Sequence, residues 1–472
     1  MVALLLLLAG VASGLTVDWS WKPPPLEEAL GMSLGESLSW DRDYVLGATD
    51  EVVLTLGHVH LRAHSAKTGE VVWQKTLGQY TPFPSKDKPA FIVPQFYGPQ
   101  DWQGRFSGQE GPYLAVATQV QKDSTVLFEV WDARDGTAVR SFTVGPVMPP
   151  WEHLTSRLAV AMGEQGTTVG WVSPDGRIVV EHRRLDRDGT EWRAELAIPS
   201  LAGWDVPGAT ERATVLLCPL EDSVLVVAMW PTRSESELHL LDGKTGTELK
   251  SVRLPFWVLE ATYVPEKKLV LLAASDAWSY YRWGTEGDVL AALRTDDLSV
   301  LWHRSAAGVL SLGKPAVAGG YAYLLVIPED VSGNLYPSGQ KAFCARIEKL
   351  EVSSGDDAWE VKCSFQQGLF PSKNELLAVQ RRAFANPVLV GNRLVVVLPG
   401  FGYEEKKKER YQVLLMSCEE GRELARVTVE SPPEWPWSPS RTNLNGPVGL
   451  HQVGERIYLD TFGGGLFGLS LR

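Results

Sequence analysis

The chain has 472 residues, 44% of them hydrophobic and 22% charged, a composition with ample material for a large core. Its 45 Lys and Arg against 57 Asp and Glu leave a net charge of −12, which speaks against the basic surface that nucleic-acid binding needs. The first predicted element is residues 1–14, MVALLLLLAGVASG, an apolar run followed by small residues. That is the pattern of a secretory signal peptide, too short to span a bilayer. Val11 follows Leu8-Ala9-Gly10 where a lipid-anchored bacterial protein carries Cys, so the expectation is export to the periplasm or cell exterior without a lipid anchor. No later segment is apolar enough to form a transmembrane helix.

From residue 40 onward one phrase recurs: two alternating strands around a Gly-containing turn. It reads HSAKTGEVVW at 64–73, DARDGTAVRSF at 132–142, LDRDGTEWRAEL at 185–196 and LDGKTGTELK at 241–250. Later copies are LRTDDLSVLW at 293–302, VSSGDDAWEV at 352–361 and SCEEGRELARV at 417–427. The turn glycines Gly69, Gly136, Gly189, Gly246, Gly355 and Gly421 recur at roughly sixty-residue intervals, with Asp297 filling the gap. Glycine is expected where a tight hairpin turn needs positive φ. Upstream of most turns lies a second hairpin, such as ATVLLCPLEDSVLVVAM at 213–229 or PVLVGNRLVVVLPG at 387–400.

Four short strands per repeat, with no helical period between them, predict the blades of a β-propeller. Seven units are complete, and a C-terminal stretch, 447–472, supplies only three strands. The strand LTVDWSWK at 15–22 stands alone before the first unit and can complete the last blade, removing an open edge. The expected fold is therefore all-β: a single eight-bladed propeller over 15–472, with seven blades as the alternative.

The pattern Ala63-x-x-x-x-Thr68-Gly69-x-x-x-Trp73 resembles the Trp-docking repeat of quinoprotein-type β-propellers, and the resemblance extends, degenerately, over most of the chain after residue 40. That family includes pyrroloquinoline-quinone (PQQ) dehydrogenases. It also includes non-enzymatic members such as the propeller subunit of the outer-membrane β-barrel assembly machine, the branch that this chain resembles. The resemblance implies, for an alcohol dehydrogenase, an adjacent Cys–Cys pair and a Ca²⁺ site. The four cysteines stand at 218, 344, 363 and 418, so no such pair exists, and no Asp-rich calcium loop is visible. No cofactor is expected.

Other chemistry is sparse. His58, His60 and His64 share one strand face and could ligate a metal, but the reading preferred is surface histidines on an exposed outer strand. No G-x-S-x-G elbow is present. Cys344 and Cys363 flank the turn at Ser353-Ser354-Gly355, so a hairpin centred there sets them opposite each other as a candidate disulfide.

Loop parity carries the functional expectation. In a four-stranded blade with strands A to D, the A–B and C–D links leave one face of the ring and the B–C and D–A links leave the other. The long segments are almost all B–C or D–A: 230–237, 276–288, 328–340, 399–410, 78–110 and 431–446. They hold Trp278, Tyr280, Tyr281, Trp283, Tyr336, Phe401, Tyr403, Trp435 and Trp437, with Phe96, Tyr97 and Trp102 in the longest. Aromatics on loops of a rigid scaffold favour interfaces. The expected function is a non-enzymatic, monomeric scaffold that binds another envelope or extracellular protein, or a glycan. The alternative is a propeller enzyme, either a polysaccharide hydrolase or lyase using acids such as Asp276 or Glu286, or a PQQ-dependent dehydrogenase.

Overall fold

Leu15–Trp21, the first strand of the chain, pairs antiparallel with Leu466–Leu471, the last, aligning Leu15 with Leu471 and Trp21 with Leu466. This ladder makes the two ends of the sequence neighbours in one sheet of a computed structural model. The structure describes residues 14–21, 44–56, 60–76, 113–120, 124–147, 158–163, 166–197, 214–230, 235–275, 288–305, 309–310, 315–327, 342–366, 385–402, 408–430, 449–461 and 465–471. Their strands form eight antiparallel sheets, the eight blades of a propeller. Among the described residues the second blade shows three strands, and the inner strand of the sixth is broken into Val309–Leu310 and Ala316–Ala318. The one helical element described is the 3-10 turn Pro265–Lys267.

The repeat in the sequence is thus one blade, and the seven-plus-one count with N-terminal closure is the arrangement found. Blade 4 is representative, with strands Thr214–Pro219, Ser223–Trp230, Glu235–Asp242 and Glu248–Leu254 as A to D. Strand B is apolar on both faces, and Val224 through Met229 are all buried because each face meets a different neighbour.

The core lies between blades rather than within one layer. Leu225, Val227, Leu238 and Leu240 of blade 4 pack with Val258, Val270, Leu272 and Ala291 of blade 5. Blades 7 and 8 share Val395, Val413, Leu450 and Leu459, and blades 8 and 1 share Tyr458, Leu466, Val45 and Val53. Each such Leu or Val contributes about 1.5–3 kcal/mol when buried. A blade alone leaves both faces wet, which is why the ring must close.

One irregularity recurs in strand D. The C–D ladder slips by one residue just after the turn in blades 1, 2, 4, 5, 6 and 7. The bulged residues are Val72, Val139, Leu249, Leu301, Ala358 and Leu424, and the first four are exposed apolar side chains. Because strand side chains alternate, a bulge re-aims the residue after it. In blade 6 the bulge also corrects the cysteine expectation. Leu350 opposes Asp357, but beyond Ala358 the register moves on, so Cys344 opposes Ser364 and Cys363 opposes Ala345. The two cysteines are one step out of register rather than opposed; Cys363 is buried, and the side chain of Cys344 lies outside the described residues.

Candidate functional site

The short-link face is built around the recurring turn. In blade 4 the Asp242 carboxylate accepts hydrogen bonds from the backbone N–H groups of Lys244 (3.0 Å) and Thr245 (2.8 Å) and from the Thr245 hydroxyl (2.9 Å). Those donors hold the Asp242 carboxyl below its ordinary range. The Gly246 N–H donates to the carbonyl of Asp242 at 2.9 Å, closing the turn with Gly246 at φ +69°. The Lys244, Thr245 and Gly246 amides are thus engaged by Asp242, and the Gly243 amide donates to the Asp222 carbonyl of the A–B link at 2.8 Å, which marks the turn as structural.

Strand D delivers a side chain onto the next blade, by way of the bulge in blades 1, 5 and 6 and without one in blade 3. Trp19, Trp73, Trp192, Trp302 and Trp359 each donate the indole N–H across a blade joint, to the carbonyls of Ala66 (3.2 Å), Ala133 (2.9 Å), Gly243 (2.9 Å), Val352 (2.8 Å) and Cys418 (3.1 Å). Each ring lies on the turn glycine of the following blade. A Cβ at Gly69 would come within 2.4 Å of Trp19, and one at Gly246 within 2.4 Å of Trp192. Trp73 was legible in its intact repeat, while the other four are docking residues that sequence reading missed. The signal was there in the spacing of Trp192, Trp302 and Trp359, three or four residues after the left-handed turn position. Blade 5 puts Leu298, at φ +56°, in that position, not Asp297 as the turn spacing suggested.

The histidines are a correction. His60 and His64 lie on strand C of blade 1, His60–Ser65, one strand in from the outer edge, and both are buried. Arg62, also buried, donates to His60 Nδ1 at 2.9 Å and to Gln74 Oε1 at 2.8 Å. His64 Nδ1 donates to the Gly69 carbonyl at 3.1 Å, and its Nε2 lies 3.0 Å from Thr55 Oγ1. Trp21 of the closing strand meets His64 edge-on at 4.6 Å and Arg62 at 5.4 Å. The cluster is a polar seam between blades 8 and 1, and His58 lies outside the described residues. Among the described residues no group of three or more His, Cys, Asp or Glu could hold a metal ion.

On the opposite face, strand order fixes which ends open where. Leu269–Ser275 and Asp288–Arg294 flank Trp278, Tyr280, Tyr281 and Trp283 as strands B and C of blade 5. Tyr321–Ile327 and Ala342–Glu351 flank Tyr336 in blade 6. Trp435 and Trp437 fall between Glu423–Glu430 of blade 7 and Gly449–Val453 of blade 8, and Trp102 falls between Val71–Thr76 and Tyr113–Val120. These aromatic residues, with Tyr403, Asp276 and Glu286, lie outside the described residues. Two predicted loops shorten. Strands Arg393–Gly402 and Lys408–Ser417 run into the segment 399–410 and pair Phe401 with Glu409, and strands also enter 230–237. The side chain of Phe401 is outside the described set.

Comparison with known proteins follows the fold. A family model described as outer membrane protein assembly factor BamB matches residues 175–471, well over half of the chain. No curated protein matches. Among solved structures, the quinohemoprotein alcohol dehydrogenase from Comamonas testosteroni is 12% identical with a TM-score of 0.51, covering 97% of this chain and 76% of its own. BamB from Moraxella catarrhalis is 12% identical with a TM-score of 0.46, covering 90% of this chain and 96% of its own. Likeness at such identity speaks to the fold alone. The family model carries further: this chain belongs to the outer membrane protein assembly factor BamB family of PQQ-repeat-like β-propellers.

Proposed function

We propose that the chain is an exported, non-enzymatic scaffold that binds another protein of the cell envelope through the face onto which the B–C and D–A links open. The carrying observation is the strand order, which sets the flanking strands of nearly every long segment with their open ends on that one face. The opposite face is closed by tight turns whose donors and glycines are used within the ring. Function concentrates on variable connections held by a rigid frame. The family description, an assembly factor of outer membrane proteins, points to a partner within that assembly apparatus rather than to a glycan.

In the same reading residues 1–14 are a cleaved leader, residues 15–472 are one domain, and the protein acts as a monomer. The absence of adjacent cysteines anywhere in the sequence supports a scaffold over a PQQ-dependent dehydrogenase. None of the described residues form a helix long and apolar enough to cross a membrane.

Capture from native envelopes tests the face directly. Replacing Trp278, Tyr281 and Trp283 together with Ala is expected to weaken partner recovery by tenfold or more, about what one aromatic hot spot supplies, with circular dichroism unchanged. Undiminished recovery with an intact fold would move the binding site off this face.

A further inference from the structure

Among the described residues, five of the eight blade joints carry the docked tryptophan. At the joints between blades 4 and 5 and between blades 7 and 8, Lys250 and Ala425 take its position, and apolar packing around Leu254 and Phe256 or around Leu415 and Leu450 fills the seam. The joint between blades 2 and 3 is made differently. Its bulge at Val139 delivers Arg140, whose Nη2 donates to the Leu185 carbonyl at 2.6 Å, the role the indole N–H has elsewhere. Arg140 Nη1 pairs with the carboxylate of Asp188, and Arg140 Nε is buried with no hydrogen-bond partner among the described residues. Gly189, the turn glycine, has nothing within 4 Å where a ring would otherwise lie.

A second arginine crosses in the other direction. Arg183 of blade 3 donates to the Thr143 carbonyl of blade 2 at 3.3 Å and lies 4.9 Å over the Phe142 ring. It is held from behind by Glu181, at 2.6 Å. The outer half of this joint thus rests on two guanidinium groups, while its inner half remains a dry core of Val126, Phe128, Val160 and Trp171.

We propose that the outer part of the blade 2–blade 3 joint is a charge-held hinge that loosens as ionic strength rises, whereas the joint between blades 1 and 2, where Trp73 docks on Gly136, does not respond. The Asp188 side chain is 93% exposed, so its attraction for Arg140 is open to screening. An indole packed on a glycine owes its hold to burial, which added salt does not screen. Motion should be confined to strand Ala138–Val144 and the 185–191 turn, because the inner core holds the two blades together.

Hydrogen exchange by mass spectrometry on the full chain tests this between about 0.1 M and about 1 M NaCl, where the screening length falls from roughly 10 Å to roughly 3 Å. In the wild type, amides of 138–144 are expected to exchange about threefold faster at high salt, within the range of an exposed ion pair. Those of the tryptophan-bearing strand 71–76 should hold constant. Asp188→Asn should exchange fast at both salt concentrations, and Arg140→Trp should remove the salt response. Because Asp188 is exposed, Asp188→Asn keeps the test open if Arg140→Trp fails to fold. A wild-type 138–144 segment indifferent to salt, or an equal response at 71–76, would overturn the hinge.

Discussion

At the residue scale, the turn glycines bear two constraints at once, one from backbone and one from packing. Gly246 sits at φ +69°, and a Cβ there would lie 2.4 Å from the Trp192 ring. Gly246→Ala is therefore expected to cost more than the roughly 1 kcal/mol of a strained turn, about 2–4 kcal/mol in denaturant unfolding, since the indole must also move. A cost below about 0.5 kcal/mol would show that the ring is not seated there. Leu298 shows the exception. Its left-handed φ of +56° is strained, but its side chain is wholly buried in the joint between blades 4 and 5, and burial outweighs a strain of about 1–2 kcal/mol.

His182 gives a pH prediction from the same scale. Burial against Trp192, with centroids 5.6 Å apart, lowers its affinity for a proton below the ordinary value of 6.5. The unfolded chain then binds the proton more readily, so the contribution to stability is full above about pH 6.5 and is lost as pH falls below it. His182→Gln should flatten this part of the profile of melting temperature against pH. An identical slope in the variant would assign the acid sensitivity to other groups.

At the scale of elements, the bulge in strand D links sequence to assembly. It turns an alternating strand so that Trp73, Trp302 and Trp359 reach the next blade, leaving Val72, Val139, Leu249 and Leu301 facing solvent. The closing strand repeats the device with its own register shift between Val17 and Trp19, although no covalent turn joins it to Leu466–Leu471. Its Trp19 docks on Gly69, and Trp21 covers the His64–Arg62 seam. Deleting residues 15–21 should lower the melting temperature by several degrees or more, and Trp19→Ala alone should cost about 2–3 kcal/mol. An unchanged melting temperature in the deletion would refute closure by this strand.

Much of this was legible because turn chemistry and two-residue alternation repeat with the blade. The blade number, the closing strand and the parity of the links follow from turns such as Thr68-Gly69 and Thr245-Gly246 and from the unpaired run at 15–22. What stayed hidden depends on neighbours. His60 and His64 read as surface residues because their depth is set by blade 8, not by their own strand. Cys344 and Cys363 read as opposed because a bulge at Ala358 leaves no mark in composition. Arg140 gave no sign that it occupies a tryptophan's place until Leu185 lay beside it.

At the scale of the whole molecule, the proposed function divides the ring into a structural face and a recognition face. One face is closed by turns that lock blade to blade, and at the other the strands that flank the long links of several blades end. Rigid placement of several loops on one rim suits an extended protein surface better than a small ligand. Site-specific photo-crosslinking in the native envelope tests this division most directly, with one probe at Trp278 between strands B and C of blade 5 and another at Thr245 in the C–D turn of blade 4. The expected result is a discrete protein adduct from position 278 and none from 245. Adducts from 245 alone, or equal adducts from both positions, would contradict a partner-binding face on the long-link side.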